Sequence, residues 1–276
     1  MDDFKLQKLH FLQLKIAKEI LRICEKNSID YSLSGGTLIG AVRHSGFIPW
    51  DDDMDIDMTR ENYLKFIKAC EHDLGKEFYL ENWYTDNKYW NGFSKIMLKD
   101  TILVEDSTKF SNNRSGIYVD IFPWDNTPNN IFQRLIHEKK VRFNVLLLIA
   151  KHNIQIPSNS SHFKKLLYVL LKKVTQKVDT RKLIEHYEKD VQRYNTRETH
   201  YITCAVGVQG YKKNLCPREW FNSYIKLNFE DTEFSAIQEY DKLLSQSYGD
   251  YMQLPPLEKR RTHNIDKLDF GPYLEL

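Results

Sequence analysis

Few features of this sequence sort it into a special class. Cysteine is scarce: Cys24, Cys70, Cys204 and Cys216 are the four present, and none stands in a CxxC pair. No histidine lies near them at zinc-finger spacing. Scattered buried thiols in a reducing compartment are expected, which points to the cytoplasm. Long apolar runs are lacking too. The longest, Val145 to Ala150, falls far short of the roughly 20 residues that span a bilayer. The opening Met1-Asp-Asp-Phe-Lys is charged and leads into an amphipathic pattern, so no secretory leader is expected. Charge of one sign is not in excess. The 40 basic and 38 acidic residues leave a formal net charge of +2, which gives no global case for a nucleic-acid partner. There is no Gly-x-Ser-x-Gly elbow to support a serine hydrolase. No internal repeat or low-complexity segment appears. What remains is an ordinary globular composition, 41 % hydrophobic and 28 % charged, over 276 residues. That length suits one large domain or two small ones.

One stretch stands out against this plain background. Ser34 to Asp57 holds a glycine pair, an Arg43-His44 pair and five aspartates in its last seven positions. Asp51, Asp53, Asp55 and Asp57 fall at every second residue, with Met54, Ile56 and Met58 between and beyond them. On a β-strand this period puts carboxylates on one face and apolar side chains on the other. Such a row of like charges is tolerable if solvated or if a divalent cation sits on it. Alternate residues on one strand face lie roughly 7 Å apart, close enough for two carboxylates to share hard cations with a substrate phosphate. Upstream, Gly35-Gly36 lets a backbone approach a ligand closely. The residues from Thr37 read as a short helix whose free N–H groups suit a phosphate. Arg43 is a candidate bidentate phosphate clamp; His44 is either its neighbour at a ligand or surface decoration. Two other acidic motifs fail. An EF-hand loop needs Gly at its sixth position and an acid at its twelfth, and counting from Asp51 these are Ile56 and Asn62. Asp51-Asp52-x-x-Asp55 also spells a prenyl-diphosphate motif, but that chemistry wants the acids on a helix.

Gly35-Gly36-Thr37-Leu38, followed by Arg43-His44-x-Gly46-Phe47-Ile48-Pro49-Trp50-Asp51-Asp52-Asp53-x-Asp55, resembles the signature of the LicD/fukutin family. The likeness recurs at Gly116 to Pro123 and at Tyr248 to Pro256, with Arg260, Arg261 and His263 beyond. The resemblance implies a nucleotidyltransferase-like fold and Mg²⁺ or Mn²⁺ held by Asp53, Asp55 and a third acid from a neighbouring strand. Asp120 is the best candidate for that acid, since one carboxylate inside the apolar Gly116–Phe122 strand is costly unless paired or ligated; Asp125 is the fallback. It further implies transfer of phosphocholine from CDP-choline to a sugar hydroxyl of a cell-surface glycan precursor, of teichoic acid or lipopolysaccharide type and lipid-linked. Ribitol or glycerol phosphate from its CDP donor is the alternative. A nucleotidyltransferase-like domain that only binds a nucleotide or sugar is the non-enzyme reading, and loss of the acids would signal it. Asp51 or Asp57 would orient ligands, and one of the acids would take the hydroxyl proton. Gly35, Gly36, Thr37, Arg43, His44, Trp50, Lys95, Arg260, Arg261 and His263 would contact the substrate. A choline headgroup needs an aromatic cage, which Trp50, Trp83, Tyr84, Trp90 or Trp124 can supply; aromatics also stack on sugars.

The expected architecture is α+β: a nucleotidyltransferase-like mixed sheet with flanking helices, then a mainly helical C-terminal half. Residues 1–125 would form the core with its N-terminal helix, and 126–276 the helical part completing the same catalytic unit. Helices are expected over Phe4–Asn27, Arg60–Cys70, Leu135–Ala150 and Ser235–Tyr248, and strands at Tyr31–Ser34, Phe78–Leu80, Ser94–Leu98, Gly116–Phe122 and from Ile202. Pro157–Ser161 reads as a polar loop and subdomain boundary. His162 to Lys182 is basic and amphipathic, and either lies on an anionic membrane surface or packs with snorkelling lysines.

Overall fold

A computed structural model describes residues 2–86, 89–105, 115–154, 161–207, 209–260, 262 and 264–275. Helix α1 (Asp3–Lys26) is capped by the Asp2 carboxylate, which accepts from the Lys5 N–H. Its Leu9, Leu12, Ile16, Ile20 and Ile23 are fully buried, as the spacing predicts. Strand β1 (Ser32–Leu33) leads into α2 (Gly35–His44), and β2 (Asp55–Thr59) into α3 (Arg60–Asp73). Next come β3 (Phe78–Glu81), β4 (Ser94–Leu98), β5 (Ile102–Glu105) and β6 (Tyr118–Thr127). The central sheet runs β1-β2-β6-β4-β3. Among the described residues only β2 and β6 pair in parallel within it; the other neighbours are antiparallel. Fully buried Ile56, Met58, Val119 and Ile121 press this sheet against α1.

Three helices follow: α4 (Ile131–Lys151), α5 (His162–Thr175) and α6 (Thr180–Val191). α4 and α6 form a separate cluster of Val141, Leu148, Ile184, Tyr187 and Val191. The basic run 162–182 is therefore broken between α5 and α6, with Asp179 capping the second helix. The Pro157–Ser161 loop lies outside the described residues apart from Ser161. On α5, Leu166, Val169, Leu170 and Val174 face outward, which removes the reading of α5 as a core helix.

Helix does not dominate the chain beyond residue 200. Strand β7 (Tyr201–Thr203) pairs with the far end of β6, and after α7 (Gly210–Lys213), β8 (Cys216–Pro217) pairs with β7. Strands β9 (Tyr224–Phe229) and β10 (Thr232–Ile237) form a hairpin where a helix from Ser235 is expected; α8 (Tyr240–Tyr248) starts only after it. The reason is local. Phe234 and Ala236 alternate with more exposed residues and bury against β1, while the Ser32 hydroxyl and Tyr31 hydroxyl accept the N–H groups of Ile237 and Ser235. Strand β11 (Ile265–Asp269) returns to pair with β5.

Asp125, the fallback metal ligand, is spent on architecture. It takes a bidentate contact from Arg60 at 2.7 and 2.8 Å and a third bond from Asn195. Arg60 also donates to Glu188 of α6 at 3.1 Å, and all three charged side chains are buried. This triad ties α3, β6 and the helical cluster together. Removing one member leaves a buried charge uncompensated, so Asp125→Ala should cost about 3–5 kcal/mol in urea denaturation. A loss below about 1 kcal/mol would deny the triad that role.

Candidate active site

The site is built from one sheet register. Asp55 of β2 stands opposite Asp120 of β6, and Asp57, Met58 and Thr59 follow opposite Phe122, Pro123 and Trp124. Neighbouring parallel strands lie about 4.8 Å apart, so the Asp55 and Asp120 carboxylates share one rung. Burial pushes the Asp55 carboxyl well above the carboxylate range, and the charges of Asp53, Asp120, Asp57 and Asp51 push further. Asp120 is lifted to about 6 by burial, against the pull of Lys95. Asp57, one rung further, is lifted by burial to about 7 despite attraction from Trp124 and Ser34.

The four alternating aspartates do not all sit on the strand. β2 begins at Asp55, and residues 51–54 form a loop. Two side chains of α1 bend that loop inward: His10 bonds the Asp51 carbonyl at 2.7 Å and Gln13 donates to the Asp52 carbonyl at 2.9 Å. Consecutive Asp51, Asp52 and Asp53 then bring carboxylate oxygens within 4.8 Å of one another. The sequence reading missed Asp52, because strand alternation turns it away from the others.

The glycine pair lies beside these acids. Gly35 has φ +49°, and a side chain there would meet the Tyr248 hydroxyl at 3.3 Å and the Asp55 carboxylate at 3.6 Å. One on Gly36 would strike the Asp51 carboxylate at 2.5 Å. The first N–H groups of α2 have no partner within the helix and open onto this cradle. Thr37, expected among the ligand contacts, is buried, and its hydroxyl accepts the Asp55 N–H at 2.9 Å. It braces the strand start that carries Asp55. Tyr248 carries no charge to flag it in sequence, yet it closes the cradle.

Lys95 has a different partner from the phosphate expected for it. Its ammonium lies 2.7 Å from Asp120 and 3.2 Å from the centre of the Tyr118 ring. Arg43 is also displaced from the expected cradle. α2 rises about 12 Å between Gly35 and Arg43, so the two do not clamp one phosphate. Arg43 instead bonds His44 at 2.9 Å and the Tyr251 carbonyl at 2.6 Å. Burial and the nearby charge of Arg260 lower its pKa, and burial and Arg43 lower that of His44. Arg260 covers the Trp50 ring at 4.3 Å, and His44 meets that ring edge-on at 6.4 Å. Arg43, His44, Trp50 and Arg260 thus form a second station. Arg261 and His263 lie outside the described residues. Trp83, Tyr84 and Trp90 belong to the helical cluster: Tyr84 donates to Glu188 and Trp90 stacks on His152.

Hard oxygen ligands in mutual repulsion fit a divalent cation. They also carry a signature in stability. Asp57 and Asp120 keep protons in the folded protein, up to about 7 and about 6, where the unfolded chain has shed them near 3.8. The folded state binds more protons in that window, so these groups' contribution is full below it and is lost as pH rises through it. The metal-free Tm should fall from about pH 4 to about pH 7, and less steeply in Asp55→Asn. Equal slopes in the two proteins would remove the charge repulsion from the account.

A family profile described as "LicD/FKTN/FKRP, nucleotidyltransferase domain" matches residues 28–156. The chain is similar to the lipopolysaccharide cholinephosphotransferase LicD of Haemophilus influenzae, at 31 % identity over 276 residues, covering 97 % of this chain and 98 % of that protein. An uncharacterized protein of Rickettsia prowazekii is 33 % identical over 133 residues, 47 % of this chain and 46 % of that protein. Human ribitol 5-phosphate transferase FKRP is 38 % identical over 61 residues, 22 % of this chain and 12 % of that protein. The full-length match and the profile together establish that the chain belongs to the LicD family.

Proposed function

We infer that this chain is a metal-dependent phosphotransferase that moves phosphocholine from CDP-choline to a sugar hydroxyl of a glycan precursor. The in-register pair of Asp55 and Asp120, set beside the Gly35–Gly36 cradle, is the observation that carries this reading. The full-length likeness to a lipopolysaccharide cholinephosphotransferase supports the choice of headgroup and a glycan acceptor of that type. Teichoic acid is the other acceptor consistent with the family.

Asp53, Asp55 and Asp120 would hold Mg²⁺ or Mn²⁺. When bound, the ion would neutralise the donor diphosphate and the charge that develops on departing CMP. The N–H groups at the start of α2 hold a phosphate in the cradle. Arg43 and Arg260, neither in an ion pair among the described residues, hold the anionic nucleotide end across the Trp50 ring. The acceptor oxygen attacks the distal phosphorus, a new P–O bond forms, the bridging P–O bond breaks, and CMP leaves with that electron pair. Asp51, partly exposed at the loop edge, takes the hydroxyl proton. Lys95 neutralises Asp120 before a donor arrives.

No described helix is long and apolar enough to cross a membrane. A lipid-linked acceptor would instead be met at a surface. α5 supports this with exposed Leu166, Val169, Leu170 and Val174 beside exposed Lys165, Lys172 and Lys173. Cys24, Cys70, Cys204 and Cys216, free and buried, suit the cytoplasmic side.

CMP release from CDP-choline, CDP-ribitol and CDP-glycerol, each with Mg²⁺ or EDTA, tests the reaction. Release from CDP-choline that stops with EDTA is expected, with Asp55→Asn folded but slower by about two to three orders of magnitude. Release from a polyol donor alone would replace the headgroup; full turnover by Asp55→Asn would remove the mechanism. For the surface, flotation should find the protein on anionic vesicles and not neutral ones, and released by salt. Equal recovery from both, unchanged by Leu170→Asp, would rule α5 out as the contact.

A further inference from the structure

The two in-register strands continue past the acid pair. Asp57 stands opposite Phe122, and Thr59 opposite Trp124. With period two, Asp57 shares the face of Asp55, and Phe122 and Trp124 share that of Asp120. One rung of two carboxylates is therefore followed by rungs of aromatic rings with a single carboxylate. This part of the sheet opens on a small cavity of about 80 Å³ lined by Gly35, Asp55, Asp57, Phe122, Trp124 and Tyr248, among others.

The lining narrows the choice of occupant. Asp57 is buried, and among the described residues its attractions are to Trp124 and Ser34, with no cation. The Trp124 indole N–H, 3 % exposed as a residue, lies near enough to attract that carboxylate without completing a hydrogen bond. An anion is repelled by Asp57 once that carboxyl is ionised. A polyol would set several hydroxyls against this lining, where Asn214 already donates to the Cys204 carbonyl, the Gln209 side-chain oxygen already accepts from Lys213, and the Phe122 ring offers no hydrogen-bond partner. A small, hard cation is better served at the preceding rung, where Asp55 and Asp120 stand together. A large, soft cation that sheds water readily and has no N–H to satisfy matches a cavity in which the acids Asp57 and Asp55 meet the rings of Phe122, Trp124 and Tyr248.

We propose that this cavity binds the quaternary ammonium of the transferred group, with Asp57 as its countercharge and Phe122, Trp124 and Tyr248 as its walls. The inference rests on the donor reading above. With the distal phosphate at the Asp55–Asp120 rung, a two-carbon chain reaches toward the next rung, roughly 7 Å further on. Of the five aromatic residues that the sequence offered as a cage, Trp124 is the one that lines this cavity.

The test compares CDP-choline with its neutral isostere, CDP-3,3-dimethylbutanol, in which carbon replaces the ammonium nitrogen. The wild type should show a KM about tenfold lower for the charged donor. Asp57→Asn should erase that preference by raising the KM for CDP-choline and leaving that for the isostere unchanged. Tyr248→Leu, at a partly exposed position, should shift the same ratio in the same direction. Equal KM values in the wild type, or an Asp57→Asn change that strikes both donors alike, would overturn the proposal while leaving the CDP-donor reaction standing. Calorimetry with tetramethylammonium separates the two readings. Binding by the wild type and not by Asp57→Asn, without turnover of any CDP donor, would keep the cation site and sink the reaction.

Discussion

Asp55 and Asp120 are set side by side on parallel strands, where neither can ionise freely. Everything else around the site either enforces that juxtaposition or relieves it. The fully buried Ile56, Met58, Val119 and Ile121 fix the strand pair in the core, so the carboxylates cannot swing apart without unpacking it. Thr37 holds the Asp55 N–H, and Lys95 offsets one charge. A fold that maintains such repulsion without a cation gives up stability in doing so. That arrangement is what a binding site for a divalent ion and a diphosphate requires.

The second constraint is separation. The glycine cradle and the Arg43–Trp50–Arg260 station stand at opposite ends of α2. An extended donor fits this layout better than a compact one, since each charged portion meets a distinct element. The ion-paired triad of Arg60, Asp125 and Glu188 works at longer range. It locks the helical cluster onto the end of β6 and so holds steady the strand that carries Asp120.

Much of this was legible in the sequence where periodicity and punctuation agree. α1, α3, β4 and the Asp-bearing strand of residues 118–122 followed from apolar spacing, and the glycine pair marked the start of α2. The readings that failed did so for tertiary reasons. Asp51 and Asp53 alternate correctly for a strand, but His10 and Gln13, some forty residues earlier, hold their loop in another shape. Residues 235–237 have neighbours that suit a helix, yet bonds to Tyr31 and Ser32 draw them into a hairpin. Asp120 and Asp125 look alike in one apolar strand. Only the partners on each side, Lys95 for one and Arg60 for the other, separate site from scaffold. Tyr248 opens a stretch of family likeness, but its place beside Gly35 comes from the approach of α8 to the cradle in the folded chain.

Electron paramagnetic resonance of added Mn²⁺ tests the central claim most directly, because it reports the ion without any donor or acceptor. The wild type should bind Mn²⁺ saturably near neutral pH, and both Asp55→Asn and Asp120→Asn should lose that site while keeping the wild-type circular dichroism spectrum. Saturable Mn²⁺ binding that persists in both variants, or none in the wild type, would contradict a metal centre on the Asp55–Asp120 rung.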